Sequence, residues 1–244
     1  MRLRGPSPAA HPLPELVALS SPRSAASESY RKLRTNVQFA DVDGSSWSLL
    51  ITSATPEEGK TTTLANFGVV IAQGGARVCL VDSDLRRPTL HRLFGVDNDK
   101  GLTTALMDGV PLSAVAQATR IPNLSVVPSG PIPPNPADLV GSPRMRELME
   151  SARPDFDRVL LDSPPVLSVA DAATLATCVD GVILVVRMGK IPHGAARRAT
   201  AQIRAVRGRL LGVVLNRADF RREGYSAGYA DSYYYAYDSN KRES

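Results

Sequence analysis

Trp47-Ser-Leu-Leu-Ile-Thr52, followed by Ala54-Thr-Pro-Glu-Glu-Gly59-Lys60-Thr61 and an apolar stretch that runs to Gln73 and stops at Gly74-Gly75, decides the fold of this chain. The first piece is a short apolar strand, and the last is a helix ended by glycine. The loop between them fits the phosphate-binding pattern, with Ala54 at its usual first glycine. In such a loop backbone N–H groups and the positive helix end cradle phosphates. Lys60 would bridge the β- and γ-phosphates, and the Thr61 hydroxyl would ligate Mg²⁺. The candidate nucleotide contacts are Thr55, Pro56, Glu57, Glu58, Gly59, Lys60, Thr61 and Thr62. Glu57 and Glu58 sit awkwardly there, because carboxylates repel triphosphate, unless they face solvent, a metal or a partner.

Working outward, apolar strands are expected over 77–81 (ending in Asp82), 124–127, 158–161 (ending in Asp162), 181–186 and 210–215. Continuous Val/Leu/Ile runs separated by helical stretches signal a parallel sheet covered on both faces. The fold class is therefore α/β: a P-loop NTPase with a mostly parallel β-sheet and helices on both faces. Asp82-Ser-Asp84-Leu-Arg86-Arg87 and Asp162-Ser-Pro164-Pro165 then fall at the carboxyl edge of that sheet, where open α/β folds bind ligands. One carboxylate of such a set holds Mg²⁺ directly or through water while another accepts a proton from an attacking hydroxyl. Asp82 and Asp84 could equally cap the next helix or pair with Arg86 and Arg87. His11, His91 and His193 have no partner motif and read as surface or packing residues.

Residues 1–24 hold five prolines and read as a flexible leader that does not pack. A helix is expected from Ser27, its cap, with Tyr30, Leu33, Val37 and Phe39 as a partial apolar stripe. The domain body spans 25–220 and a tail covers 221–244. Six of the seven tyrosines lie in that tail: Tyr225, Tyr229, Tyr233, Tyr234, Tyr235 and Tyr237. Alone, this reads either as a sticky appendage or as a functional element. The net charge is +5, and Arg197, Arg198, Arg204, Arg207 and Arg209 alternate with Ala199, Ile203 and Val206 as the solvated face of an amphipathic helix. Cys79 and Cys178 have neither metal nor disulfide spacing, and a reducing cytoplasm fits them. No apolar run approaches the roughly 20 residues that span a bilayer.

Taken together, Ala54-x4-Gly59-Lys60-Thr61, Leu80-Val-Asp82-x-Asp84-x-Arg86-Arg87-Pro88 and Val159-Leu-Leu-Asp162-Ser-Pro-Pro165 closely resemble the bacterial tyrosine kinases of capsule and exopolysaccharide synthesis. So do Ser29-Tyr-Arg-Lys-Leu-Arg-Thr-Asn36, His91-Arg-Leu-Phe-Gly95, Gly130-Pro-Ile-Pro-Pro-Asn-Pro136 and Gly212-Val-Val-Leu-Asn216. The resemblance covers about Ser27 to the C-terminus. It implies ATP and Mg²⁺ as cofactors and phosphorylation of the tail tyrosines, with Lys60 on the phosphates and Asp82 as the base. Thr61, Asp84 and Asp162 would hold the metal, and Asn216 would meet the adenine. Glu28-x-x-Arg31-x-x-Arg34 matches the family's oligomerisation motif, in which the helix docks on the next subunit of a ring. Its spacing puts all three charges on one helix face. The implied partners are other copies of the chain, a membrane-anchored polysaccharide co-polymerase that activates it, and a tyrosine phosphatase, with no nucleic acid. The implied location is cytoplasmic, at the inner face of the plasma membrane. Glu57 departs from the glycine that family members often carry, which bears on turnover.

Two alternatives remain open on sequence. A ParA/MinD-type ATPase shares the MinD/ParA-like sheet, but its signature lysine stands where this chain has Thr55, and it has no use for a tyrosine tail. A nucleotide-gated scaffold of the polysaccharide machinery would need the ring without the chemistry.

Overall fold

The computed structural model describes residues 16–40, 47–190 and 194–218. In chain order the elements are α1 (Val17–Ser20), α2 (Ala25–Ala40), β1 (Ser48–Ser53), α3 (Lys60–Gln73), β2 (Val78–Asp82), α4 (Leu90–Phe94), α5 (Leu102–Asp108) and α6 (Leu112–Val115). There follow β3 (Gln117–Ala118), β4 (Leu124–Val127), α7 (Pro136–Val140), α8 (Pro143–Ser151), β5 (Arg158–Asp162), α9 (Asp171–Leu175), β6 (Gly181–Arg187), α10 (Ala195–Ala205) and β7 (Leu210–Asn216). The strands form one sheet in the order β3-β4-β2-β5-β1-β6-β7. Every pairing is parallel except β3 with β4. The two-residue β3 has no sequence signal, being too short for any periodicity.

β1 and β2 are buried along their whole lengths, as strands covered on both faces must be. Alternate residues feed two cores. Leu49, Ile51, Leu80, Leu160 and Ile183 pack with Leu64, Phe67 and Val70 of α3. Leu50, Val81, Leu161 and Leu184 pack with Leu106 of α5, Met145 and Met149 of α8, and Ala199 and Ile203 of α10. α3 is apolar nearly all round because it is sandwiched: the sheet lies on one side and Tyr30, Leu33 and Val37 of α2 on the other. Arg197, Arg198 and Arg204 of α10 are exposed opposite Ala195, Ala199 and Ile203, which bears out the amphipathic reading for those three; Arg207 and Arg209 lie past the end of the helix, in the turn and segment leading to β7.

Two expectations are corrected at the N-terminal side. The leader does not run unpacked to residue 24. Leu16 and Ala18 are buried against α3, and the Ala18 N–H donates to Asn66 Oδ1 at 3.0 Å. Past the last leader proline but one, the short apolar run has surface to cover on α3, and covering it is favourable. The cap of α2 is Ser24, whose Oγ accepts the Ser27 N–H at 3.2 Å, and not Ser27. The Ser27 hydroxyl donates instead to the carbonyls of Val17 and Ser21, at 2.8 and 2.7 Å, tying α1 to α2. Residues 1–15, the tail 221–244, and His11 and His193 lie outside the described residues. Among the described residues no helix is long and apolar enough to cross a membrane.

Candidate active site

Because β1, β2, β5, β6 and β7 run parallel, their carboxyl ends share one edge of the sheet, and the candidate residues converge there. The loop after β1 enters α3 through Gly59, whose φ of 91° is left-handed. A Cβ on Gly59 would lie 2.1 Å from Asn216 Nδ2, so side chain and loop meet across the glycine. Asn216 Nδ2 donates to the Glu58 carbonyl at 2.8 Å. This contact ties the end of β7 to the phosphate loop.

Glu58 resolves half of the loop's acid problem. It does not face solvent: it is fully buried, accepting from Thr55 Oγ1 at 2.9 Å and from the Arg187 N–H at 3.0 Å, as well as from the Thr55 N–H. Its charge is therefore spent on bracing the loop against β6. Glu57 turns outward, and its carboxylate accepts from Lys190 Nζ at 3.0 Å. The Lys190 hydrogen bond, the Lys190 charge and the nearby Arg187 and Arg217 hold its carboxyl below the usual range. Pro56 and Thr62 are exposed on the rim.

Lys60 points back into the protein. Its Nζ donates to Asp84 Oδ2 at 3.2 Å and to Thr61 Oγ1 at 3.3 Å, and stands 3.5 Å from Asp162 Oδ1. Burial alone would lower its pKa, but the Asp162 and Asp84 charges outweigh it and raise the ammonium above its ordinary value. The Thr61 hydroxyl donates to Asp162 Oδ2 at 2.6 Å. Asp84 Oδ1 accepts the Arg87 N–H at 3.0 Å. Asp82 Oδ2 accepts the N–H groups of Thr89 and Leu90, at 2.8 and 2.9 Å, so it does cap α4. Capping leaves its other oxygen free: Asp82 Oδ1 and Asp162 Oδ1 are buried atoms with no hydrogen-bond partner. Burial, then the Asp162 charge, push Asp82 up to about 7, and burial also raises Asp162.

Orphaned carboxylate oxygens around one ammonium, beside a loop stripped of its Cβ at Gly59, form a donor set that fits a nucleotide phosphate chain with Mg²⁺. Among the described residues no three acidic, histidine or cysteine side chains stand grouped around an empty centre. Lys60 occupies the space between Asp84 and Asp162. Both carboxylates are nevertheless hard oxygen ligands of the kind Mg²⁺ prefers.

Arg86 pairs with neither Asp82 nor Asp84. Its guanidinium grips buried Asp171, at the start of α9, with two hydrogen bonds of 2.8 and 3.1 Å. Asp171, Arg187 and Lys190 carry no motif in the sequence, and only their position at strand ends or the next helix brings them to the site. Of the oligomerisation residues, Glu28 and Arg31 pair at 2.8 Å on the surface. Arg34 leaves that face and donates to the Val70 carbonyl at 3.1 Å. That carbonyl lies in the last turn of α3, where helix carbonyls lack intrahelical partners. The tail tyrosines lie outside the described residues. Cys79 is buried in β2, and burial pushes its thiol up, away from reactivity.

Residues 57–210 match a protein family described as an AAA domain. The tyrosine-protein kinase YwqD of Bacillus subtilis is 44% identical over 201 residues, covering 82% of this chain and 85% of that protein. The tyrosine-protein kinase wzc of Salmonella typhimurium is 34% identical over 224 residues, but this chain spans only 31% of its length. The solved kinase domain of the Escherichia coli tyrosine kinase ETK superposes with a TM-score of 0.78 at 34% identity, covering 84% of this chain and 82% of that domain.

Proposed function

The chain belongs to the bacterial tyrosine-protein kinases, with an AAA-type nucleotide-binding domain, and from that premise we propose that it transfers the γ-phosphoryl group of ATP to tyrosines of its own C-terminal cluster, between subunits, as a regulator of capsular or exopolysaccharide export. The observation that carries this reading is the convergence of Lys60, Asp82, Asp84 and Asp162 on one edge of the sheet. The acceptor would be a hydroxyl of Tyr225, Tyr229, Tyr233, Tyr234, Tyr235 or Tyr237.

In the reaction the tyrosine oxygen attacks the γ-phosphorus, its proton passes to Asp82 Oδ1, and the bond to the β-phosphate oxygen breaks to release ADP. Asp82 suits the proton step because its free oxygen is buried and its carboxyl is pushed up to about 7, close to working pH. Mg²⁺, when bound, supplies charge neutralisation at the phosphates. Thr61, Asp84 and Asp162 would hold it, and Lys60 would turn from its carboxylates to the phosphates. Asn216, whose amide is tied to the Glu58 carbonyl of the loop, would face the adenine. Positioning and electrostatics would carry the rate.

The tyrosines must reach a site in another copy, so partners are a ring of the same chain, a membrane-anchored co-polymerase acting as activator and recruiting it to the inner membrane face, and a tyrosine phosphatase. Glu28 and Arg31, exposed on α2, would contribute to the ring contact.

The test mixes two full-length proteins, Asp82→Ala with an intact tail and a second copy whose tail tyrosines are all phenylalanine, with ATP, Mg²⁺ and the cytoplasmic segment of the activator. Phosphotyrosine on the Asp82→Ala chain, read by mass spectrometry, is the expected result. Phosphate release without phosphotyrosine would replace this reading with the ATPase.

A further inference from the structure

Glu57 carries a cost that nothing within the phosphate loop offsets. Its φ of 63° lies in the left-handed region, which side-chain-bearing residues adopt reluctantly, and its side chain is 83% exposed. A glycine at this turn would avoid the strain and bring no charge. A carboxylate beside bound triphosphate adds a like charge at short range.

The compensation comes from outside the loop. Lys190, in the turn that follows β6, reaches across and donates to the Glu57 carboxylate at 3.0 Å and to the Pro56 carbonyl at 3.3 Å. One ammonium therefore grips both a side chain and the backbone of consecutive loop residues. Arg187, the last residue of β6, fastens Glu58 through its N–H, so the end of β6 and the turn after it hold the loop at two successive positions.

We propose that Lys190 is a positioning residue of the phosphate loop, which holds the turn at Pro56 and left-handed Glu57 and cancels the Glu57 charge so that the loop can accept nucleotide phosphates. The inference rests on the nucleotide-binding part of the proposed function and not on tyrosine transfer. It assigns the loop's departure from glycine to a two-residue unit, Glu57 with Lys190, whose members should be exchangeable only together.

The experiment measures binding of a fluorescent ADP analogue with Mg²⁺ to the full chain. Lys190→Gln should weaken binding about three- to tenfold, the scale of one exposed charge contact next to a polyanion. Lys190→Arg should bind as the parent does. Glu57→Gln/Lys190→Gln should return to within about twofold of the parent, since the charge needing neutralisation is gone. Raising ionic strength to about 1 M, where the screening length is about 3 Å, should narrow the gap between the parent and Lys190→Gln. Parent-like binding by Lys190→Gln would overturn the proposal. So would a loss in the double variant as large as that of Lys190→Gln alone, because Lys190 would then act on the nucleotide or on folding without the Glu57 charge. A parent protein that binds no nucleotide would sink the proposed function itself, whereas one that binds nucleotide but makes no phosphotyrosine would leave this inference standing.

Discussion

Asp82 and Asp162 occupy paired positions on the neighbouring parallel strands β2 and β5, and both are fully buried. A parallel sheet offers no way to separate them, so the site is built on two carboxylates that each make the other's ionisation harder. The consequence is a stability cost with a definite sign. In the unfolded chain an aspartate titrates near 3.9, whereas burial and Asp162 push folded Asp82 to about 7. Between those values the native state holds a proton that the unfolded state has released, so this group's contribution to stability falls as pH rises through about 7. Asp82→Asn should therefore be more stable than the parent at pH 8, by up to about 4 kcal/mol, with the gap closing towards pH 4. Thermal melts across that range check it, and a pH-independent gap would rule it out.

Lys60 is the counter-charge to this arrangement, linking Asp84 and Asp162 through one ammonium. Lys60→Met leaves both carboxylates uncompensated and removes the proposed phosphate contact. Tyrosine phosphorylation should fall on the order of 10²–10³-fold, as for loss of one preorganised electrostatic group. The nucleotide-free protein should lose about 3 kcal/mol at pH 8, because a buried pair broken on one side leaves bare charge. Quantified phosphotyrosine and denaturant titration read the two effects separately. Retained polymer export with no phosphotyrosine would favour the scaffold.

The pair Arg86–Asp171 is asymmetric, with the guanidinium half-exposed and the carboxylate buried. Truncating the two partners should therefore not cost the same. Arg86→Ala strands a buried charge and should cost about 2 kcal/mol, discounted because water reaches the arginine's side of the pair. Asp171→Asn leaves a neutral amide and an arginine that can turn to solvent, for about 1 kcal/mol. Both changes free the segment that carries Asp84, so kcat should fall while the KM for ATP moves less. Equal destabilisation by the two substitutions would contradict the geometry.

Much of this is legible in the sequence because β1, β2, β5 and β6, buried on both faces, must be apolar throughout, whereas the edge strand β7 keeps its apolar run although its residues are partly exposed. β4 was expected with its observed bounds, and β1, β2, β5, β6 and β7 to within a residue at either end. Lys60, Thr61, Asp82, Asp84 and Asp162 are legible for a related reason: each stands at or just past a strand end, or at a helix start, that the pattern fixes. What could not be read is what lies between elements. Glu58 looked like a charge facing the nucleotide, but its bonds to the Arg187 N–H and Thr55 bury it, and no local rule signals a partner 129 residues away. Arg34 shared a helix spacing with Glu28 and Arg31, yet an orphan carbonyl on α3 drew it elsewhere. Leu16 and Ala18 read as leader because prolines surround them, while the surface they cover belongs to a helix that begins over forty residues later.

The last expectation concerns how many tail hydroxyls matter. The chain carries a net charge of +5, and each phosphotyrosine adds about −1.5 to −2 at neutral pH. About three filled tyrosines therefore cancel the net charge, and six make the chain strongly acidic, with like-charged tails brought together wherever copies assemble. Assembly should then weaken in steps, little affected by one or two phosphates and lost beyond about three, with the loss relieved by salt because exposed charges are screened. A series of tail variants keeping one, three or all six tyrosines, phosphorylated and then sized by light scattering at low and high salt, reads this out. If a variant with all six replaced by phenylalanine cycles between oligomer and monomer as the parent does, tail charge has no part in assembly. If a single retained tyrosine suffices, one specific contact governs release, and the summed charge does not.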